Sequence, residues 1–196
     1  MKKHLLLGSA AALLITAMPV RAAPTASIRT GSTSVTPDAG FLAAADSLGV
    51  SVAPLSGRNL AFRITGGDID LENAAGEILH SGGLSLSAGE TVVELKSFAI
   101  DTSVAEPVLT GVAIVNEQLV GRIPLFKLSL PELSLPLQPA QRRFFGFSFS
   151  RLTIPGVGLS LTSEAAGALN ASFGVTAFAE DFVIGEASVR AFGLRP

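Results

Sequence analysis

The chain has 196 residues, with 14 Lys and Arg against 16 Asp and Glu, 20 Gly, 12 Phe and no Cys, Tyr or Trp. A formal charge of -2 without a basic stripe excludes a nucleic-acid-binding surface. Two histidines and no cysteine exclude the usual zinc ligand sets and any disulfide.

In chain order, Lys2, Lys3 and His4 form a basic start ahead of an apolar run from Leu5 to Ala17, too short to span a bilayer. Pro19 then breaks the run, and Val20-Arg21-Ala22 places small or compact residues where a signal peptidase reads. Residues 1–22 are therefore expected to be a signal peptide, and 23–196 a single β-rich domain outside the cytoplasm, whether secreted, periplasmic or at the cell surface. Removing Lys2, Lys3 and Arg21 leaves 11 basic against 16 acidic residues, a net charge of -5. No later apolar run reaches spanning length.

Two similar segments, VTPDAGFLAAADSLGVSVA (35–53) and LTSEAAGALNASFGVTAFA (161–179), are the expected helices. Each opens on a threonine suited to an N-cap, Thr36 or Thr162, with an acid two residues on, Asp38 or Glu164, at the positive helix end. Pro37 suits the first helical position. Gly49 and Gly174 suit the left-handed residue that closes a helix. The pair reads as a repeated strand, short helix, strand unit. Asn170-Ala171-Ser172 has the form of a glycosylation sequon, but its place inside a helix favours a structural role.

Between the helices, apolar and polar residues alternate over 59–71, 76–87, 91–101, 108–115 and 118–130, with Gly, Asn, Glu or Pro between segments, the pattern of an antiparallel meander. Asn116-Glu117 fits a tight turn. Further strands are expected near 147–154 and 184–192, and Arg142-Arg143 beside Phe144-Phe145 reads as a loop-to-strand boundary. In FKLSLPELSLPLQP (126–139), Pro131 and Pro136 remove ladder donors, which places the segment at a sheet edge or in an extended crossing. It serves either as a loop covering the core or as an apolar surface for a ligand or partner. The expected fold class is mainly β, an antiparallel β-sandwich or curled sheet with two short α-helices.

His80 is the one histidine beyond the signal segment. A two-residue turn at Ala74-Ala75 would pair Ile69 with His80 and Leu71 with Ile78. A β-bulge at Gly66-Gly67 would then bring Ile64 opposite Leu84 and Phe62 opposite Leu86, with Gly82-Gly83 facing the bulge. His80 would share one face with Phe62, Ile64, Ile69, Leu71, Ile78, Leu84 and Leu86, either as a hydrogen-bonded core residue or as a ligand-binding group. The candidate ligand-binding residues are accordingly His80, Gly66, Gly67, Gly82 and Gly83, since facing glycines leave room for a flat ligand. Asp68, Asp70 and Glu72 fall on the opposite face and lack the glycine and terminal glutamate of a calcium loop, so they read as a solvated surface and no metal is expected. No G-x-S-x-G elbow, S-x-x-K or P-loop is present, and no enzymatic activity is expected.

From Gly66 to about Thr162 the order of features resembles the HtaA family of exported haem-binding domains. The resemblance is carried by GGDIDLENAAGEI, HSGGLSLSAGETVVELKSFAID, LTGVAIVNEQLVGRIPLFKLSL and LSLTSEAAGAL. It implies a β-rich domain with a few short helices. Family members hold haem through tyrosine with a histidine in a nearby turn, whereas this chain has no tyrosine and carries Ser87-Ala88-Gly89-Glu90 where that turn would fall. Haem is therefore not expected. What is expected is an exported, non-enzymatic binding module for an apolar or planar small ligand, the alternative being a structural or partner-binding envelope protein with no small-molecule ligand.

Overall fold

A computed structural model describes residues 24–144 and 147–194; the expected signal peptide and Phe145 lie outside them. The elements in order are β1 (Thr25–Pro37), α1 (Ala39–Ser47), β2 (Ser51–Pro54), β3 (Ala61–Asp70), β4 (Gly76–Ser81), β5 (Gly83–Ala88), β6 (Thr91–Asp101), β7 (Val108–Val115), β8 (Gln118–Ser129), β9 (Ala140–Phe144), β10 (Phe147–Leu161), α2 (Ser163–Phe173) and β11 (Val183–Leu194). Among the described residues no helix is long and apolar enough to cross a membrane.

The mainly β class with two short helices holds, and the architecture is more specific than a sandwich or curled sheet. The sheet closes into an eight-stranded antiparallel barrel with extra strands. The ring runs β1, β3, the bent pair β4 and β5, then β6, β7, β8, β10 and β11, which pairs back onto β1. Closure depends on β6, which pairs with β4 and β5 along one edge and with β7 along the other. β2 extends the free edge of β5, and β9 that of β10.

Bulges bend the strands enough to close the ring, and they leave a mark in the buried series. Val93 and Leu95 are followed inward by Phe98 and Ile100, because Ser97, at φ 54°, sits at the register shift between Lys96 and Ala99. Leu152 and Ile154 are followed by Val157, Leu159 and Leu161 across a shift that contains Gly156, at φ 72°. Each bulge reverses which parity of residue faces the core, so the apolar spacing changes from even to odd there.

The first strand is longer than the sequence pattern marks. β1 runs through Pro37 because Thr36 and Pro37 still pair with Glu186 and Gly185 of β11. The N-cap of α1 is therefore Asp38, whose Oδ1 accepts from Gly40 N at 2.7 Å, and not Thr36. Pro37 correspondingly ends a strand and does not open the helix. α2 follows expectation: Thr162 caps it by accepting from Ala165 N, Glu164 lies in the first turn, and Gly174 closes it at φ 65°. Asn170 spends its side chain on Phe178, donating to its carbonyl at 2.8 Å and accepting from its N–H at 3.0 Å. An irregular run, with no strand, separates α2 from β11. Asn116 and Glu117 form the expected tight turn, both at positive φ, joining Val115 to Gln118.

The segment after Ser129 is an extended crossing that covers one end of the barrel. Leu137 is buried and its N–H donates to Leu71 O at 2.6 Å, while Leu130 and Leu133 pack over Ile69, Ile78, Ile154 and Val189. The void left beneath them is about 20 Å³, no more than the room of one water molecule.

Candidate ligand-binding site

At the other end the barrel is hollow. A cavity of about 300 Å³ lies between the inward faces of the strands and the two helices. Its wall is built from Phe62, Leu86, Leu95, Phe98, Leu125 and Leu161, with Phe62 and Phe98 meeting edge to face at 4.9 Å between ring centres. The covering helix α2 contributes Ala165, Ala168, Leu169 and Ser172 at the i, i+3, i+4, i+7 spacing of one face, mostly small side chains. A helix with Leu at those positions would fill the space; this one roofs it. No charged side chain is among the described residues that line the cavity.

His80 lies in this wall, 5% exposed. Its burial and its company with Phe62, Ile64, Ile69, Leu71, Ile78 and Leu86 match the expected face, with Leu84 half-buried beside them. The pairing differs from expectation. Ile64, not Ile69, faces His80; Ile69 faces Gly76; Phe62 pairs toward β1, opposite Thr33. Leu84 and Leu86 face Pro54 and Val52 of β2, not Ile64 and Phe62. The connection between β3 and β4 is longer than two residues because Leu71 leaves the ladder. Its N–H donates to Pro24 O and its carbonyl accepts from Leu137 N, while Asp70 N reaches across the loop to Ala75 O.

A bulge is present in β3 but falls before the glycines expected to form it: the register shift between Ile64 and Gly66 leaves Thr65 as the extra residue. Gly66 and Gly67 face Leu79 and Ile78, so the two glycine pairs do not oppose each other. At Gly67 the backbone of β4 takes the space, since a Cβ there would collide with the Glu77 carbonyl. Gly82, at φ 96°, and Gly83 form the bend where the strand exchanges β3 for β2 as its neighbour, and Leu55 N donates to Gly83 O. None of the four glycines is among the residues that line the cavity. Asp68 and Glu72 are exposed and Asp70 half-buried. Asp68 accepts from Ser27 Oγ and Asp70 from Glu72 N, which accounts for two of the three acids.

His80 Nε2 lies 2.8 Å from Thr33 Oγ1, a contact made over the inward face of β3 between two strands that are not neighbours. Burial lowers the pKa of His80 from 6.5 to about 4, with backbone groups of Ile78 and Phe98 opposing part of the shift. The ring is neutral at neutral pH. Nδ1 meets no hydrogen-bond partner of acceptable geometry among the described residues. Thr33, itself 3% exposed, is the site residue that the sequence pattern does not mark. Its signal is faint: the inward series Ile28, Thr33, Val35 contains a hydroxyl and is interrupted by a register shift after Ile28.

Neither a family model nor a curated protein sequence matches this chain. Among solved structures, the C-terminal domain of HtaA from Corynebacterium glutamicum is similar, with a TM-score of 0.56 over 85% of this chain and 98% of that one, at 13% identity. At that identity the likeness is one of fold: a distant HtaA-like barrel.

Proposed function

We propose that this protein is an extracytoplasmic, non-enzymatic binding module, HtaA-like in fold, that holds one apolar small molecule in the hollow end of its barrel. The observation that carries the reading is the cavity of about 300 Å³ with an apolar wall and no charged lining. Pockets of this size and character are where small ligands bind, and eight-stranded barrels have interiors of the right width for one. A well-packed core has no voids beyond a water molecule or so, so the space calls for an occupant. The expected signal segment at residues 1–22 supports the location.

The residues present do not fit haem. Tyr and Cys are absent from the chain, and His80 Nε2 is engaged by Thr33. The cavity is also only about twice the roughly 150 Å³ that accepts a single benzene, too small to enclose a porphyrin. Titration with haemin is expected to give no saturable Soret shift at stoichiometric protein; one that disappears in His80→Ala would reverse this.

A second reading, docking to an envelope protein, rests on the β7–β8 hairpin, where Leu119 is 71% and Val120 57% exposed. Native mass spectrometry of the protein isolated from its own host tests the first reading. A single small-molecule adduct, released on denaturation and extractable into organic solvent, is the expected result. Bare protein that also takes up no naphthalene would reject it, and capture of one defined envelope protein, lost in Leu119→Ser, would favour the second.

A further inference from the structure

We propose that the cavity selects a neutral, largely apolar molecule of about two benzene rings in volume that carries one hydroxyl, which hydrogen-bonds to the Thr33–His80 pair. This rests on the reading of the cavity as a ligand site and adds the chemistry of its occupant.

Thr33, His80 and Ser172 are the polar side chains among the described lining residues. Ser172 is already used, since its Oγ donates to Ala168 O at 2.8 Å. Thr33 and His80 are bonded to each other and incompletely used. A hydroxyl has one donor and two acceptor positions, and a neutral imidazole has one of each. If the ring proton is on Nδ1, Nε2 accepts from Thr33, and Thr33 keeps free lone pairs. If the proton is on Nε2, it donates to Thr33, whose own O–H is then free to donate. In both cases Thr33 Oγ1 retains hydrogen-bonding capacity in an apolar wall, and Nδ1 is unpaired. Buried capacity left unmet is costly, and a ligand group that can both donate and accept satisfies Thr33 in either tautomer. A hydroxyl does so. A carboxylate only accepts, brings a charge into a wall without a cation, and is rejected by desolvation.

The test uses three probes of one shape, naphthalene, 2-naphthol and 2-naphthoate, with dissociation constants measured by calorimetry at pH 7.5. In a wall with no polar handle, 2-naphthol binds more weakly than naphthalene, because its hydroxyl must leave water unpaired. The expected order is instead 2-naphthol tighter than naphthalene by about fivefold to tenfold. Naphthoate is expected to be weaker by about a hundredfold or more. Thr33→Val removes the preference for naphthol while keeping the side-chain shape, and Thr33→Ser retains it. Naphthalene binding as tightly as or more tightly than 2-naphthol in the unaltered protein leaves the cavity reading standing and overturns this inference. So does a naphthol preference that survives in Thr33→Val. Failure of all three probes to bind rejects the cavity reading itself.

Discussion

The two ends of the barrel are made from the same strands and end differently. Beneath residues 130–139, Ile69, Ile78, Ile154 and Val189 meet Leu130 and Leu133 with about 20 Å³ of void; under α2, Leu95, Leu125 and Leu161 surround about 300 Å³. The strands supply apolar inward faces at both ends, so strand pattern does not decide which end is filled. The covering connection does. A leucine-rich extended segment closes one mouth with the buried Leu137 and the half-buried Leu133, and an alanine-rich helix face spans the other. On this account the closed end holds the fold together and the hollow end is free for a ligand.

The same truncation at each end sharpens that contrast. Ile78→Ala at the closed end is expected to cost about 3 to 5 kcal/mol, and Ile184→Ala, which borders the hollow, about 2 kcal/mol, because Ile184 already lacks partner atoms on one side. Denaturant unfolding of the two variants measures this, and equal costs would break the distinction.

His80 adds a dependence on pH at the hollow end. Its folded pKa of about 4 lies below the ordinary 6.5, so between those values the unfolded chain binds more protons than the folded one. The contribution of the neutral ring is complete above pH 6.5 and is lost as pH falls toward 4, on the order of 3 kcal/mol in all. The difference between the stability curves of the unaltered protein and His80→Leu, followed from pH 7 to 4, isolates it. A flat difference would place the ring in water.

Overpacking gives the smaller effect and the sharper sign. Ala191→Leu adds volume where Ala191 is 1% exposed and borders neither void, and is expected to cost about 1 to 3 kcal/mol. Ala168→Leu on the roof of the hollow is expected to change stability by no more than about 0.5 kcal/mol while abolishing naphthalene uptake. Thermal melts with calorimetric titration compare the two.

Much of this was legible in the sequence, for identifiable reasons. Strands β3 to β8 are bounded by turn residues and carry runs of apolar and polar alternation, and the parity break between Ile64 and Ile69 announces a bulge. The partner across that bulge was not legible, because Leu71 is drawn out of its ladder by Pro24 and Leu137, contacts distant in sequence. Barrel closure was hidden likewise: β1 and β11 meet from opposite ends of the chain, and alternation reports which face is buried without reporting what it faces. For the site, His80 stood out as a lone histidine on an apolar face. Thr33 did not, since a threonine in a strand is ordinary until the fold brings it against an imidazole. The glycines drew attention for a geometry that strand pairing assigns to backbone approach.

The central claim, that one end of this barrel is a ligand chamber and the other a packed core, is tested most directly by methyl NMR of the isoleucine, leucine and valine residues during titration with naphthalene. Saturable shifts at one-to-one stoichiometry in Val115, Leu95, Leu125 and Leu169, with Ile154, Val189 and Leu133 unmoved, are the result expected. Shifts spread equally over both ends, or none that saturate, would contradict it.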